Sequence, residues 1–291
     1  IVMADGTIIS SIGGVGNTGS ISFDANTNIA LSIINTTRDV NITARTGAIT
    51  DNITGEASNI IAANLTINAA TGVGTSGAAD INTTVSSIDI ANTTSGNIYI
   101  KETDTLEIKE ITQSGSGLVS LIVASGNITQ SGNISSTTGA INVSATTGSI
   151  SMNDATSTNS TSGNITYISP NGIALAALTT TGDATLNATN GAITDNLTAE
   201  TANIVADDLT ITAATGVGAS TANADINTTV SSINITNTTS GDIYIKESDT
   251  LEIKAISQSA ALGVINIITT LGDITQSGNI STTTGAITIA S

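Results

Sequence analysis

The sequence predicts an all-β chain wound as a parallel β-solenoid (β-helix) of about 13–14 coils, at about 20–22 residues per coil. Three observations predict it. The chain repeats itself over its whole length, each copy is a run of short glycine-led units in which apolar and polar residues alternate, and the apolar content is almost wholly aliphatic.

The long repeat comes first, because it sets the organisation. GAITDNIT at 47–54 returns as GAITDNLT at 191–198, and TINAATGVG at 66–74 as TITAATGVG at 210–218. NTTSGNIYIKETDTLEIK at 92–109 returns as NTTSGDIYIKESDTLEIK at 237–254, and GNITQSGNIS at 126–135 as GDITQSGNIS at 272–281. The weaker stretches follow the same register: GSISF at 19–23 aligns with GNITY at 163–167, and NIAL at 28–31 with GIAL at 172–175. The 291 residues are thus two tandem copies, 1–144 and 145–291, the second continuing the first. One extra residue enters the second copy near 219–224 and another near 260–263, which marks both places as turns that tolerate insertion. A chain that starts and stops near one phase of its repeat is expected to be a window on a longer array.

Within each copy the unit is a glycine, a polar residue, then alternating apolar and small polar residues: GNIYI, GNITQ, GAINV, GSISM, GNITY, GDATL, GAITI. Alternation of period two is the strand signature, placing Ile98 and Ile100 on one face and Asn97 and Tyr99 on the other. Glycine at the head of each unit suits a bend between strands. Stacked in parallel at about 4.8 Å, such coils bring equivalent positions into columns, a rod on the order of 60–70 Å long.

The composition fits columns of Ile, Val, Leu and Ala inside and Thr, Ser and Asn outside. Apolar residues are 39% of the chain but aromatics only 1%, namely Phe23, Tyr99, Tyr167 and Tyr244. Large rings are expected to disturb a uniform column, which accounts for their scarcity. Regular apolar alternation argues against a disordered tract, and a coil-length repeat argues against a β-sandwich.

Other residues limit the chemistry. There is no His and no Cys, which removes histidine triads, thiol nucleophiles, thiolate zinc sites and disulfide frameworks. Six basic against 23 acidic residues give a net charge of −17, so nucleic acid is not an expected partner. The longest apolar runs, 118–124 and 173–178, are far below the roughly 18–20 residues a membrane helix needs, so no transmembrane segment is expected. The opening residues IVMADG carry neither the basic flank nor the apolar stretch of a secretory signal.

The coil motif, seen in Thr137-Thr138-Gly139-Ala140-Ile141, Thr283-Thr284-Gly285-Ala286-Ile287 and Gly272-Asp273-Ile274-Thr275-Gln276, resembles the repeats of filamentous haemagglutinin-like exoproteins, large adhesins of the two-partner secretion type. The resemblance spans nearly the whole chain. It implies a right-handed parallel β-helix at the cell surface, outside the cell, acting in adhesion or aggregation. The expected function is the structural shaft of a large extracellular adhesin, with a host, neighbour-cell or matrix surface as partner. The alternative is a filament subunit that stacks end to end on further copies of the same repeat. A polysaccharide-active β-helix enzyme is the third reading; the chain is not expected to be an enzyme, and no catalytic, cofactor or metal residue is assigned.

Two groups of residues invite a functional reading. The first is the sequon Asn-x-Ser/Thr, found at Asn41, Asn52, Asn64, Asn82, Asn92, Asn127, Asn133, Asn164, Asn196, Asn227, Asn237 and Asn279 among others. In an exported protein each exposed one is a candidate glycan acceptor, although strands rich in Asn, Ile and Thr write the triplet automatically. The second is KETDTLEIK at 101–109, repeated as KESDTLEIK at 246–254. Glu102, Asp104 and Glu107, with Glu247, Asp249 and Glu252, offer a cation or recognition patch, or solvated ion pairing on one face. Paired carboxylates for acid–base work on a sugar reduce to Asp207-Asp208 and these clusters.

Overall fold

The computed structural model describes residues 1–12, 19–221 and 223–291. Ala222, within the insertion at 219–224, lies outside the described residues. These residues form 29 strands and no helix, hence no helix long and apolar enough to cross a membrane. They divide into two compact units, Ile1–Thr146 and Thr147–Ser291. Each is a parallel β-solenoid, and the two contain about 13 coils between them.

In the first unit one column of inward residues runs Ile29, Ile49, Val73, Ile98, Val119, Ile141, every neighbouring pair in parallel register. In the second unit the same column reads Ile150, Ile173, Ile193, Val217, Ile243, Ile265, Ile287. Short strands alternate as their sequences demand. Ile98–Glu102 buries Ile98, Ile100 and Glu102 while Tyr99 and Lys101 face outward. Coil length varies, 19 residues from Ile21 to Val40 against 26 from Ile34 to Ile60, wider than the expected spacing because the corner loops differ. The strands Leu106–Gln113 and Leu251–Gln258 each slip register at a lysine, Lys109 and Lys254, a bulge that turns this side chain outward.

The leading glycines mark places where successive coils touch through their main chains. A Cβ on Gly117 would lie 1.7 Å from the carbonyl oxygen of Gly96, and one on Gly139 would lie 1.8 Å from that of Gly117. Any other residue there would push the coils apart.

Two expectations are corrected. Rings are not excluded from the interior: Phe23 is 8% exposed and Tyr167 0%, at equivalent positions of the two copies. The Tyr167 hydroxyl shares a 2.7 Å hydrogen bond with Thr158 Oγ1, so the ring fills core volume without stranding its polar tip. Burial pushes this phenol above its ordinary value. Nor are polar residues confined to the outside. Asn59, Asn92, Gln113, Gln130, Asn203, Asn237 and Gln258 are all buried, because corners interrupt the ladder and leave main-chain groups that need side-chain partners.

Candidate functional site

Three polar assemblies recur in both units, each placed by strand parity. The first sits where Ile88–Ile90–Asn92 and Ile111–Gln113 end their inward series. Asn92 Oδ1 accepts the Gly72 N–H at 3.0 Å, and its Nδ2 donates to Ser95 O at 2.8 Å and to Gln113 Oε1 at 3.1 Å. Gln113 Nε2 in turn donates to Gly96 O at 2.9 Å. Asn237 and Gln258 repeat this, with 3.1, 2.8 and 3.0 Å for the Asn237 contacts and 3.1 Å from Gln258 to Gly241 O. Each pair ties three successive coils together at one corner.

The second assembly is the segment KETDTLEIK. Glu102 is 0% exposed. Its Oε2 accepts the Thr83 hydroxyl at 2.7 Å and the Val85 N–H at 3.1 Å, while Oε1 accepts the N–H groups of Thr103 at 2.9 Å and Asp104 at 3.2 Å. Glu247 does the same with Thr228, Val230, Ser248 and Asp249. Burial raises both carboxyls above the ordinary glutamate value, against the opposing pull of these donors. The expected acidic patch is therefore dispersed. Glu102 points into the core, Asp104 sits exposed in the turn, and Glu107 lies on the outward side of the next strand, accepting the Ser131 hydroxyl at 2.6 Å. Glu247, Asp249 and Glu252 divide in the same way. No three carboxylates converge as metal ligands among the described residues.

The third assembly joins loops across coils. Asp51 Oδ1 accepts the Ile53 N–H at 2.8 Å and the Asn59 amide, and Asn59 Oδ1 accepts the Asn82 N–H at 2.9 Å. Asp195, Asn203 and Asn227 form its counterpart. Above it Lys101 Nζ meets Glu56 at 2.8 Å, and Lys246 meets Glu200 at 3.0 Å. The leading lysine of each charged segment thus pairs with a glutamate about two coils earlier, not with a carboxylate of its own segment. Burial lifts Asp80 and Asp225 above the ordinary aspartate range, opposed by Lys101 and Lys246 respectively.

Asp207 and Asp208 do not form an acid–base pair. Lys254 binds Asp208 at 2.6 Å and the Ser232 hydroxyl donates to it at 2.6 Å, which holds that carboxyl below its usual value, whereas Asp207 faces outward.

The sequons divide by exposure. Asn41, Asn52, Asn127, Asn133, Asn164, Asn196 and Asn279 are exposed, and Asn64 is half-buried. Asn82, Asn92, Asn227 and Asn237 are buried, the second and fourth with their amides committed to the corner network. In the folded chain these four offer no room for a glycan. They are sequons because an inward corner asparagine is followed by threonines.

What sequence reasoning missed is the corner role of Asn92, Gln113 and Asn59. The signal was present: each is identical in the other copy, and Asn92 and Gln113 fall in step with inward isoleucines.

Together these assemblies define the class, a parallel β-solenoid with side-chain brackets at its corners, built twice from one repeat. No family model, curated protein or solved structure matches the chain.

Proposed function

We propose that this chain is a stretch of the structural shaft of a large extracellular adhesin, which holds a binding region away from the cell surface toward a host, neighbouring-cell or matrix surface. The observation that carries the reading is the duplication of the interior. Asn92–Gln113, Glu102 and Asp51–Asn59 recur as Asn237–Gln258, Glu247 and Asp195–Asn203 with the same bonds. Duplication suits an element whose task is length, because every coil then does the same mechanical work. Parallel ladders and aliphatic columns resist bending and shear, while outward Thr, Ser and Asn with a net charge of −17 keep a long apolar column dispersed in water. In this reading further copies of the repeat stack above and below the present ones.

Antibodies raised against the chain provide the test. They should label intact, unpermeabilised source cells, with gold particles standing off the envelope in electron micrographs. Label that appears only after permeabilisation would overturn the reading.

A further inference from the structure

The second unit carries an open groove of about 450 Å³ that crosses several successive coils. Val205 forms its aliphatic floor, with Val230 buried beneath; Asp207, Ser231, Asp249 and Thr250 stand along it. Neither carboxylate accepts a hydrogen bond or makes a salt bridge among the described residues, and the Ser231 and Thr250 hydroxyls are likewise without partners. The nearby cation, Lys254, is already held by Asp208 at 2.6 Å. Main-chain groups are committed too. Val205 lies in register between Thr179 and Thr229, the Asp207 N–H donates to Gly182 O at 2.8 Å, and the Val230 N–H donates to Glu247.

The groove is also a place where the two copies part. Ile61 and Ala63 occupy the positions of Val205 and Asp207 in the first copy, while the rest of the lining is retained as Val85, Ser86, Asp104 and Thr105. Ile61 is the bulkier side chain, and Ala63 supplies no charge. The second copy therefore has a smaller side chain and an added carboxylate at these two positions of the lining.

We propose that this groove binds an amine-bearing, hydroxyl-rich chain of the amino-sugar class. Two exposed carboxylates that accept no hydrogen bond fit ammonium groups, free hydroxyls fit ring hydroxyls, and the Val205 floor fits the apolar face of a sugar. An extended peptide fits less well, because strand addition needs free main-chain donors and acceptors along an edge, and those of Val205, Asp207 and Val230 named above are taken. The inference is independent of the shaft proposal, which requires no ligand in this place.

Calorimetric titration of the whole chain with a β-1,4-linked glucosamine tetramer, at a pH where its amines are charged, tests the proposal. Saturable heat that weakens with added salt is expected. Asp207→Ala and Asp249→Asn should each weaken binding by about two- to fivefold, the range of an exposed charge pair. The fully N-acetylated tetramer should bind about four- to twenty-fivefold more weakly, as both pairs are lost together. Asp207 and Asp249 are exposed, so both variants should keep the parent circular dichroism. Asp104→Asn, the first-copy counterpart of Asp249→Asn, should leave binding unchanged. The proposal is overturned if the glucosamine tetramer gives no heat, if either groove variant binds as the parent does, if Asp104→Asn weakens binding equally, or if tetralysine binds as tightly as the sugar.

Discussion

Replacing Glu102 by leucine removes a carboxylate but leaves the four groups that point at it. The Thr83 hydroxyl and the N–H groups of Val85, Thr103 and Asp104 all donate to Glu102 between 2.7 and 3.2 Å, in a place with 0% exposure. A stranded buried donor costs about 1–3 kcal/mol. The Thr103 N–H keeps Thr83 O at 3.0 Å and Asp104 is exposed to water, so two donors are stranded, the Thr83 hydroxyl and the Val85 N–H, and at the lower bound for each Glu102→Leu destabilises the first unit by about 2 kcal/mol. Glutamine has the same shape, keeps an acceptor for the three N–H groups, and can donate to Thr83 Oγ. It also avoids burying a charge, so Glu102→Gln should be at least as stable as the parent at neutral pH. The sign of the pH dependence follows from burial. The folded carboxyl binds its proton more tightly than the unfolded one, whose ordinary value is 4.5. Its stabilising contribution is complete below that value and is lost as pH rises through the higher folded one. Stability should therefore increase on acidification in the parent, and less so in Glu102→Gln. A repeat array does not unfold as one unit, so amide hydrogen exchange at Val85, Thr103 and Asp104 is the assay of choice, alongside urea unfolding. The reasoning fails if Glu102→Leu lies within about 1 kcal/mol of the parent and the protection of these amides is unchanged.

At Gly117 an alanine Cβ would meet the Gly96 carbonyl oxygen at 1.7 Å, backbone against backbone, so Gly117→Ala should cost about 3 kcal/mol or more; Gly77→Ala, with open space around it but φ at +79°, should cost only about 1 kcal/mol, and urea unfolding compares them. Tyr167→Phe leaves the buried Thr158 hydroxyl without its 2.7 Å partner and should cost about 1–2 kcal/mol in thermal or urea unfolding, while the ring itself stays accommodated as Phe23 is. Lys101→Met should change stability by less than about 1 kcal/mol, since the Lys101–Glu56 pair is partly exposed; measured in low and high salt, the difference should shrink with salt. Glycopeptide mapping of chain from a glycosylating host should find any occupied sequon among the exposed set such as Asn41, Asn127 and Asn279, and none at Asn92 or Asn237.

Much of the architecture was legible in the residues. Period-two alternation is a local property, so the faces of Ile98–Glu102 and Ile141–Ala145 could be assigned by parity alone. The duplication could be read because identical segments meet identical surroundings. The acidic segment was misread for the opposite reason. Glu102 looks like a surface charge in composition, yet it continues the inward series Ile98, Ile100, and its fate depends on donors from Thr83 and Val85 in the preceding coil. Asn92 and Asn237 were misread as glycan acceptors on the same footing, their amides being spent on glycines and glutamines about one coil away.

The sequence by itself determined that the chain is all-β, that it coils with a repeat, and which aliphatic residues face inward, because each of these follows from spacing along one strand. Only the tertiary structure decided which polar residues close the corners, where a ring is tolerated, which lysine meets which carboxylate, and that a groove opens beside Asp207. These depend on contacts that reach between coils, such as the 17 positions from Glu102 to Val85 and the 46 from Lys254 to Asp208, which alternation along one strand does not encode.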